Sequence, residues 1–494
     1  MNEIKITKLN EVFLHFECSD MGIEQELIEF FSYYVPNYQF MPKFKARLWD
    51  GKIKLAHPVR KTLYVGLLQY LIEFAKNSKY IIKYINEMEE QKVDLLTDLN
   101  NYAQNLIICA RNRRISLHDY QLDAINHALM SKRCILQSPT ASGKSAIIYV
   151  ISRYLMEHDL KCLVIVPNTS LVEQFYSDFE DYSSANGWST QENCQKIYSG
   201  FPKEIKSNLV FSTWQSIYKL PAAWFRQFNC IIGDEAHQFT GQSLTSIMEK
   251  LTGIEYRIGT TGSLSDSKVH TLVLEGLFGP VNKVVTTSEL QESGKLSKLE
   301  ISSIVLQYTD EERKLMKGKD YAEEINFIIG HTKRNKFITN LACKSTGTTL
   351  VLFQMVKKHG KILYDLISSR ANGRSVYFIY GSTPTEERER IRQAVEKEEN
   401  AIIVASYGCY STGINIPSIE NIIFASPFLS KIRNLQSIGR GLRLSNGKTH
   451  CKLYDITDDL RWKTHKNHTL KHGAERYKLY IEEKFPVKII EVKI

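Results

Sequence analysis

The chain has 494 residues, 43% hydrophobic and 24% charged; this length exceeds one ordinary core and points to about three domains. No run approaches the ~18 apolar residues a helix needs to cross a bilayer, so a soluble protein is expected, and the nine cysteines are scattered singly without a C-x-x-C pair, suggesting neither a zinc site nor a disulfide framework. The net charge of +10 favours a polyanionic partner, with the excess concentrated late: Pro427 to Lys478 holds 12 Lys and Arg against 4 Asp and Glu.

Residues 1–110 read as a separate α+β domain. It opens on M-N-E-I-K-I-T-K-L-N, with no apolar signal core, so the protein is expected to stay in the cytoplasm where it is made. I-K-I-T-K-L-N-E-V-F-L-H-F-E alternates as strands do, and Glu24 to Tyr34 and Gly66 to Lys76 have helical spacing. F-M-P-K-F-K-A-R-L-W-D-G-K-I-K-L reads as a hairpin turning at Asp50-Gly51. It interleaves Lys43, Lys45, Arg47, Lys52 and Lys54 with Phe44 and Trp49, the mixture that holds phosphates and stacks on bases. Lys43, Lys45, Arg47, Trp49 and Lys52 are therefore candidates for DNA contact; the alternative is a hairpin with one wet cationic face and one packed aromatic face.

Residues 111–295 form a second unit built around S-P-T-A-S-G-K-S, Ser138 to Ser145. The stretch follows the apolar run Cys134, Ile135, Leu136 and leads into A-I-I-Y-V-I-S-R-Y-L, which places the loop at a strand-to-helix switch. Backbone N–H groups and the helix N-terminus can hold a phosphate there, with Thr140, Ser142 and Gly143 in the cradle. Lys144 supplies a point charge for the β and γ phosphates, and the Ser145 hydroxyl can ligate Mg²⁺. The usual leading glycine is replaced by Ser138. Upstream, Gln121 can read adenine through an amide that both donates and accepts.

Further along, C-I-I-G-D-E-A-H (230–237) delivers two adjacent carboxylates to the C-terminal end of an apolar strand, the edge where α/β sheets bind ligands. Asp234 suits Mg²⁺ ligation, and Glu235 suits deprotonation of an attacking water. Thr213 and Gln215 top one neighbouring strand, and Thr260, Thr261 and Ser263 another.

Residues 296–460 repeat the strand-helix scheme without a phosphate loop. T-L-V-L-F, S-V-Y-F-I-Y-G, A-I-I-V-A-S-Y, N-I-I-F-A and C-K-L-Y-D-I are the expected strands of a parallel sheet covered on both faces. Q-S-I-G-R-G-L-R (436–443) is expected to open a helix with Arg440 and Arg443 on one face; arginine is the residue that neutralises charge on a transferring γ-phosphoryl. Residues 461–494 form a short basic helical tail. Its Arg461, Lys463, Lys466, Lys471, Arg476 and Lys478, with His465, His468 and His472, either hold duplex arms or line a solvated helix.

With S-P-T-A-S-G-K-S, D-E-A-H, T-G-S, S-T-G-I-N and Q-S-I-G-R-G-L-R in this order, residues 114 to 460 resemble superfamily 2 helicases and translocases. W-D-G-K, H-D-Y-Q, D-E-A-H-Q-F-T-G, G-K-x-Y-x-E-E-I and K-H-G-A-E-R-Y extend the likeness over nearly the whole chain, to the UvsW-type branch-migration helicases of bacteriophages. The resemblance implies an α/β fold of two RecA-like lobes with parallel sheets behind a small α+β DNA-binding domain, and ATP with Mg²⁺ in a cleft.

By the same resemblance, Gln121 reads adenine, Lys144 and Ser145 hold phosphate and metal, Asp234 and Glu235 serve metal and water, Arg440 and Arg443 are the fingers, and Thr213, Gln215 and Thr412 touch the DNA backbone. A monomer in the host cytoplasm, unwinding and branch-migrating forks and four-way junctions, is the expectation. A duplex translocase without strand separation and an RNA helicase are the alternatives among motors; a nucleotide-gated DNA-binding module without turnover is the alternative outside them.

Overall fold

The computed structural model describes residues 2–85, 95–110, 113–264, 267–413, 416–426, 430–444 and 448–494. The chain divides into two compact units, Met1–Ser138 with Gly143–Val284 and Pro139–Ser142 with Val285–Ile494.

In the first unit, period-two alternation makes strands β1 (Glu3–Lys8) and β2 (Phe13–Cys18), antiparallel, with Ile4, Ile6, Leu14 and Phe16 buried on one face. A separate two-stranded sheet joins β3 (Ser32–Tyr34) to β4 (Lys52–Lys54), and β5 (Thr62–Tyr64) and β6 (Ile81–Tyr84) complete a sheet ordered β5-β2-β1-β6. The expected hairpin is thereby corrected. Pro42 opens a helical turn, Pro42–Lys45, because its fixed φ suits the first helical position and its missing N–H is not needed there. Arg47 then turns the chain through left-handed backbone at φ 55°, and Lys52–Lys54 pairs back to Ser32–Tyr34.

After the short pair β7 (Ile108–Ala110) and β8 (Arg113–Ile115) comes the larger sheet. Its strands are β9 (Arg133–Gln137), β10 (Cys162–Val166), β11 (Cys194–Ile197), β12 (Leu209–Thr213), β13 (Cys230–Asp234), β14 (Tyr256–Thr261) and β15 (Val281–Lys283). All pair in parallel in the order β11-β12-β10-β13-β14-β9-β15. Short apolar strands buried along their length are what a sheet covered on both faces requires. The core on one face runs into the small N-terminal sheet: Ile135, Leu163, Ile231 and Phe278 share a buried cluster with Leu14, Phe16, Leu63 and Leu67. Tyr64 Oη donates to Glu249 Oε1 and Tyr70 Oη to Glu275 Oε2, both at 2.7 Å, and Arg133 Nη1 donates to the Glu11 carbonyl at 2.7 Å. A Cβ on Gly66 would run into the Glu275 carbonyl oxygen, so the chain approaches closely only because that residue is glycine.

The second unit holds β16 (Lys298–Gln307), β17 (Thr348–Phe353), β18 (Val376–Ile379), β19 (Ile402–Ser406), β20 (Ile419–Phe424), β21 (His450–Asp459) and β22 (Val487–Lys493). This sheet is also parallel, ordered β18-β19-β17-β20-β21-β16-β22. The basic stretch near the C-terminus forms the helix His468–Glu482 and then β22 at the sheet's edge.

Arg476, expected either to hold a duplex arm or to line a solvated helix, belongs to the core. It lies on the buried stripe Thr469, Gly473, Arg476, Tyr480, and its guanidinium meets Asp455, Nη2 to Oδ1 at 2.8 Å, with Tyr480 Oη donating to the same carboxylate at 2.9 Å. Arg461 pairs with Asp459 at 2.6 Å and Lys478 with Glu475 at 2.9 Å. Among the described residues, no helix is long and apolar enough to cross a membrane.

Candidate nucleotide site and nucleic-acid surface

Because the first large sheet is parallel throughout, its C-terminal strand ends share one edge. β9 ends at Gln137, directly before Ser138; β13 ends at Asp234; and the register sets Asp234 beside Thr260 and Gln137 beside Thr261. Groups far apart in sequence thus become neighbours through strand order alone.

The loop from Ser138 to Ser145 is held by its own polar groups. Lys144 Nζ donates to the Ser138 carbonyl at 2.9 Å, Ser142 Oγ donates to the Pro139 carbonyl at 2.8 Å, and half-buried Thr140 lies between. Gly143, at φ 82°, is the N-cap of the helix Lys144–Glu157, and a Cβ there would strike Gln121 Nε2. Gln121 is buried, and its Oε1 accepts the His118 N–H at 2.8 Å. Ala141 also takes left-handed backbone, φ 71°, at a cost of about 1 kcal/mol that glycine would not incur. Ser145 Oγ lies 2.7 Å from Tyr182 Oη, in the helix Thr169–Ser183.

Asp234 is buried and accepts a hydrogen bond from Thr260 Oγ1 at 2.7 Å. Burial first and the Glu235 charge second push its carboxyl up to about 6, against the pull of Lys144 and of the Thr260 hydrogen bond. Glu235 itself turns off the strand at φ 52°, a conformation its surroundings must impose. His237 Nδ1 lies 3.0 Å from Thr261 Oγ1 and 3.3 Å from Glu235 Oε2; burial takes its pKa down to about 4, so the ring is neutral at neutral pH.

A carboxylate whose charge is disfavoured by burial and by a neighbouring carboxylate fits a divalent cation, which would offset both effects. Among the described residues no group of three or more His, Cys, Asp or Glu could hold a metal. Asp234 and Ser145 are oxygen donors of the kind Mg²⁺ takes in nucleotide sites, where phosphate and water supply the rest.

At the same sheet edge Thr213 is buried at the end of β12, its Oγ1 2.9 Å from Ser216 Oγ, and exposed Gln215 donates from Nε2 to the Pro167 carbonyl at 3.1 Å. In the second unit Thr412 falls in the helix Tyr407–Gly413, its side chain outside the described residues. Arg440 and Arg443 are not at a helix start, as expected, but at a helix end. Lys431–Gly441 is helical, Leu442 N–H closes it on the Ile438 carbonyl, and Arg443 lies beyond; a Cβ on Gly441 would strike Ile422. Arg440 still shares a neighbourhood with Arg443, since both charges act on the buried Tyr410 hydroxyl against the rise that burial imposes.

On the N-terminal domain Lys43, Lys45 and Arg47 are exposed. Lys52 pairs with Glu29 at 2.6 Å and lies over the Tyr34 ring, while half-buried Trp49 donates from Nε1 to the Lys52 carbonyl at 2.8 Å. Phe44 packs edge-on against Tyr38 at 4.8 Å. The aromatics singled out in the sequence are thus internal braces, and among the exposed large apolar residues of this domain Phe40 and Leu48 flank the cations, which sequence reasoning missed. Tyr182 was missed as well; its helical spacing was legible, but nothing local ties it to Ser145.

A parallel sheet with a Gly-Lys-Ser loop and an Asp-Glu pair at one edge, followed by a second parallel sheet without such a loop, defines a superfamily 2 motor of two RecA-like units. Three family profiles match in succession: the N-terminal domain of the DNA helicase UvsW over residues 3–85, the res subunit of type III restriction enzymes over 114–265 and the helicase conserved C-terminal domain over 332–445. The ATP-dependent DNA helicase uvsW of Enterobacteria phage T4 is 38% identical over 480 residues, 93% of this chain and 94% of that protein. The crystal structure of T4 UvsW matches 99% of both chains with TM-score 0.52 and 35% identity. An HsdR-type subunit fragment of a type I restriction enzyme from Vibrio vulnificus, with TM-score 0.58 over 90% of this chain and 76% of that one at 16% identity, shares the fold alone. The chain belongs to the UvsW-type family of ATP-dependent, superfamily 2 DNA helicases.

Proposed function

We propose that the protein uses ATP hydrolysis to remodel branched DNA, unwinding forks and branch-migrating four-way junctions. The observation that carries this reading is one sheet edge that holds Asp234 and Glu235 at the end of β13 and, after the end of β9, the loop leading to Lys144 and Ser145, with the Lys144 charge acting on Asp234, in a unit that also carries exposed Lys43, Lys45 and Arg47.

In this reading Gln121 and the loop residues Thr140, Ser142 and Gly143 seat the nucleotide, and Lys144 leaves the Ser138 carbonyl for the β and γ phosphates. Ser145 and Asp234 would hold Mg²⁺, which would supply positive charge to the phosphates. Glu235 orients and deprotonates the attacking water, while neutral His237 and Thr261 hold the turn that presents it. Arg440 and Arg443 counter the charge that develops on the γ-phosphoryl. Thr213, Gln215 and Thr412 meet the DNA backbone, and the N-terminal cations hold an arm of the junction. We assign residues 1–110 to DNA binding and 111–295 and 296–460 to the two motor lobes, in a monomer acting in the host cytoplasm; residues 461–494, expected as a basic helical tail, instead complete the second lobe through the packed helix His468–Glu482 and the sheet strand β22. Unwinding must offset stacking of roughly 1.4 kcal/mol per base-pair step, whereas branch migration forms one pair for each pair lost.

The test is ATP-dependent processing of a synthetic mobile four-way junction beside a tailed duplex, with Lys144→Ala as control. Faster junction processing is the expected result. Faster tailed-duplex unwinding would replace this reading with a strand-tracking helicase, and DNA-stimulated hydrolysis without either product would replace it with a duplex translocase.

A further inference from the structure

Between β3 and β4 the chain builds a small projection with an unusual surface. Phe40 is 67% and Leu48 79% exposed, with Met41 beside them, and the cations Lys43, Lys45 and Arg47 are exposed in the same short stretch. Large apolar side chains left in water within one short stretch point to an interaction site, and the cationic setting selects a polyanion over an apolar protein partner.

The projection is braced from within. Tyr34 stacks on Tyr38 at 4.6 Å, Tyr38 meets Phe44 edge-on, and Gly51, at φ 82°, leaves the space its Cβ would take to the Tyr38 ring. Trp49 donates to the Lys52 carbonyl, Lys52 is tied to Glu29, and the Leu48 N–H donates to the Lys43 carbonyl at 2.9 Å. Phe40 closes the 3-10 turn Tyr38–Phe40. The stretch that carries exposed Phe40 and Leu48 therefore rests on a packed aromatic support.

We propose that Phe40 and Leu48 form a wedge that enters the base stack at the branch point of a DNA junction or fork, with Lys43, Lys45 and Arg47 on the flanking phosphates. This rests on the branched-DNA reading above and names the part that recognises the branch. Apolar side chains inserted between base steps unstack and kink DNA. At a branch point a base has already lost continuous stacking on one side, so insertion there meets less resistance than within an uninterrupted duplex. The cations alone would hold any duplex; the two apolar tips convert that grip into selection of a discontinuity in the stack.

The test uses the full chain without nucleotide, a four-way junction carrying 2-aminopurine beside the branch point and a linear duplex of equal length. Wild type should raise the 2-aminopurine fluorescence on binding and prefer the junction. Phe40→Ala with Leu48→Ala should lose the fluorescence rise and about tenfold of the junction preference, and Phe40→Trp should keep both. Lys45→Ala with Arg47→Ala should weaken junction and linear duplex alike and reduce the salt slope by roughly 0.9 per lost phosphate contact. A wild-type protein that gives no fluorescence rise, or a Phe40→Ala, Leu48→Ala protein that keeps both rise and preference, would overturn the wedge. Failure of the branched-DNA reading is separate: it would appear as absent ATP-driven junction processing, whatever the binding signal.

Discussion

Tyr182 and Ser145 meet hydroxyl to hydroxyl at 2.7 Å, on the helix Thr169–Ser183 and at the start of the helix Lys144–Glu157. In the proposed mechanism, a cation at Ser145 would have to compete with this bond, whose net worth is about 0.5–1.5 kcal/mol. Tyr182→Phe should therefore tighten binding of ATP with Mg²⁺ by roughly two- to tenfold, read from a fluorescent-nucleotide titration. Weaker binding would mean that Tyr182 orients Ser145 for the metal instead.

Glu235 and Lys144 should separate binding from turnover. If Glu235 is the base proposed above, Glu235→Gln should lower hydrolysis by about 10²–10⁴ while nucleotide binding persists. Lys144→Ala should lose both, since the phosphates lose their point charge. Steady-state hydrolysis beside equilibrium nucleotide binding distinguishes the two, and Glu235→Gln turning over at the wild-type rate would remove Glu235 from the mechanism.

The second unit is centred on Arg334 and Asp458, both without solvent exposure, joined Nε to Oδ1 at 2.7 Å and Nη2 to Oδ2 at 3.1 Å, with Tyr308 Oη donating to the same carboxylate at 2.8 Å. Asp458→Asn strands a buried guanidinium and should cost about 3–5 kcal/mol. Replacing both members with leucine should recover most of that loss. Urea midpoints of the single and double variants provide the check; a double variant as unstable as the single would show that the pair itself holds the unit.

His359 is fully buried, its Nδ1 3.0 Å from Ser426 Oγ, and burial, aided by the Arg334 charge, takes its pKa down to about 3. Between about 3 and the ordinary 6.5 the unfolded chain binds a proton that the folded one refuses, so this residue's contribution is complete above pH 6.5 and declines as pH falls toward 3. The slope is about 1.4 kcal/mol per pH unit. Wild type should therefore lose about 2 kcal/mol more than His359→Gln between pH 6.5 and 5, measured by urea unfolding at each pH. Parallel losses would mean that the ring is already charged in the folded state.

Much of the molecule is legible along the chain because local spacing carries it. Apolar runs of Val, Ile and Leu make the strands β9 to β21 wherever both faces of a sheet are covered, and Gly-Lys-Ser after such a run can only lie at a strand-to-helix turn. The Asp234-Glu235 pair is legible for the same reason, since the strand that precedes it ends there. The expected hairpin failed at Pro42, whose helical turn competes with strand alternation over a stretch too short for periodicity to decide.

The sequence by itself determined which groups stand at strand ends, and hence the chemistry available. Tertiary structure decided which of them meet. Strand order set Asp234 beside Thr260 and Gln137 beside Thr261, packing carried Tyr182 to Ser145, and the buried face of a helix turned Arg476 inward to Asp455 while Phe40 and Leu48 were left in water. The reason is physical: spacing along a chain specifies which face of an element a side chain occupies, whereas its partner is specified by the element packed against that face, which strand pairing and burial select across long sequence separations.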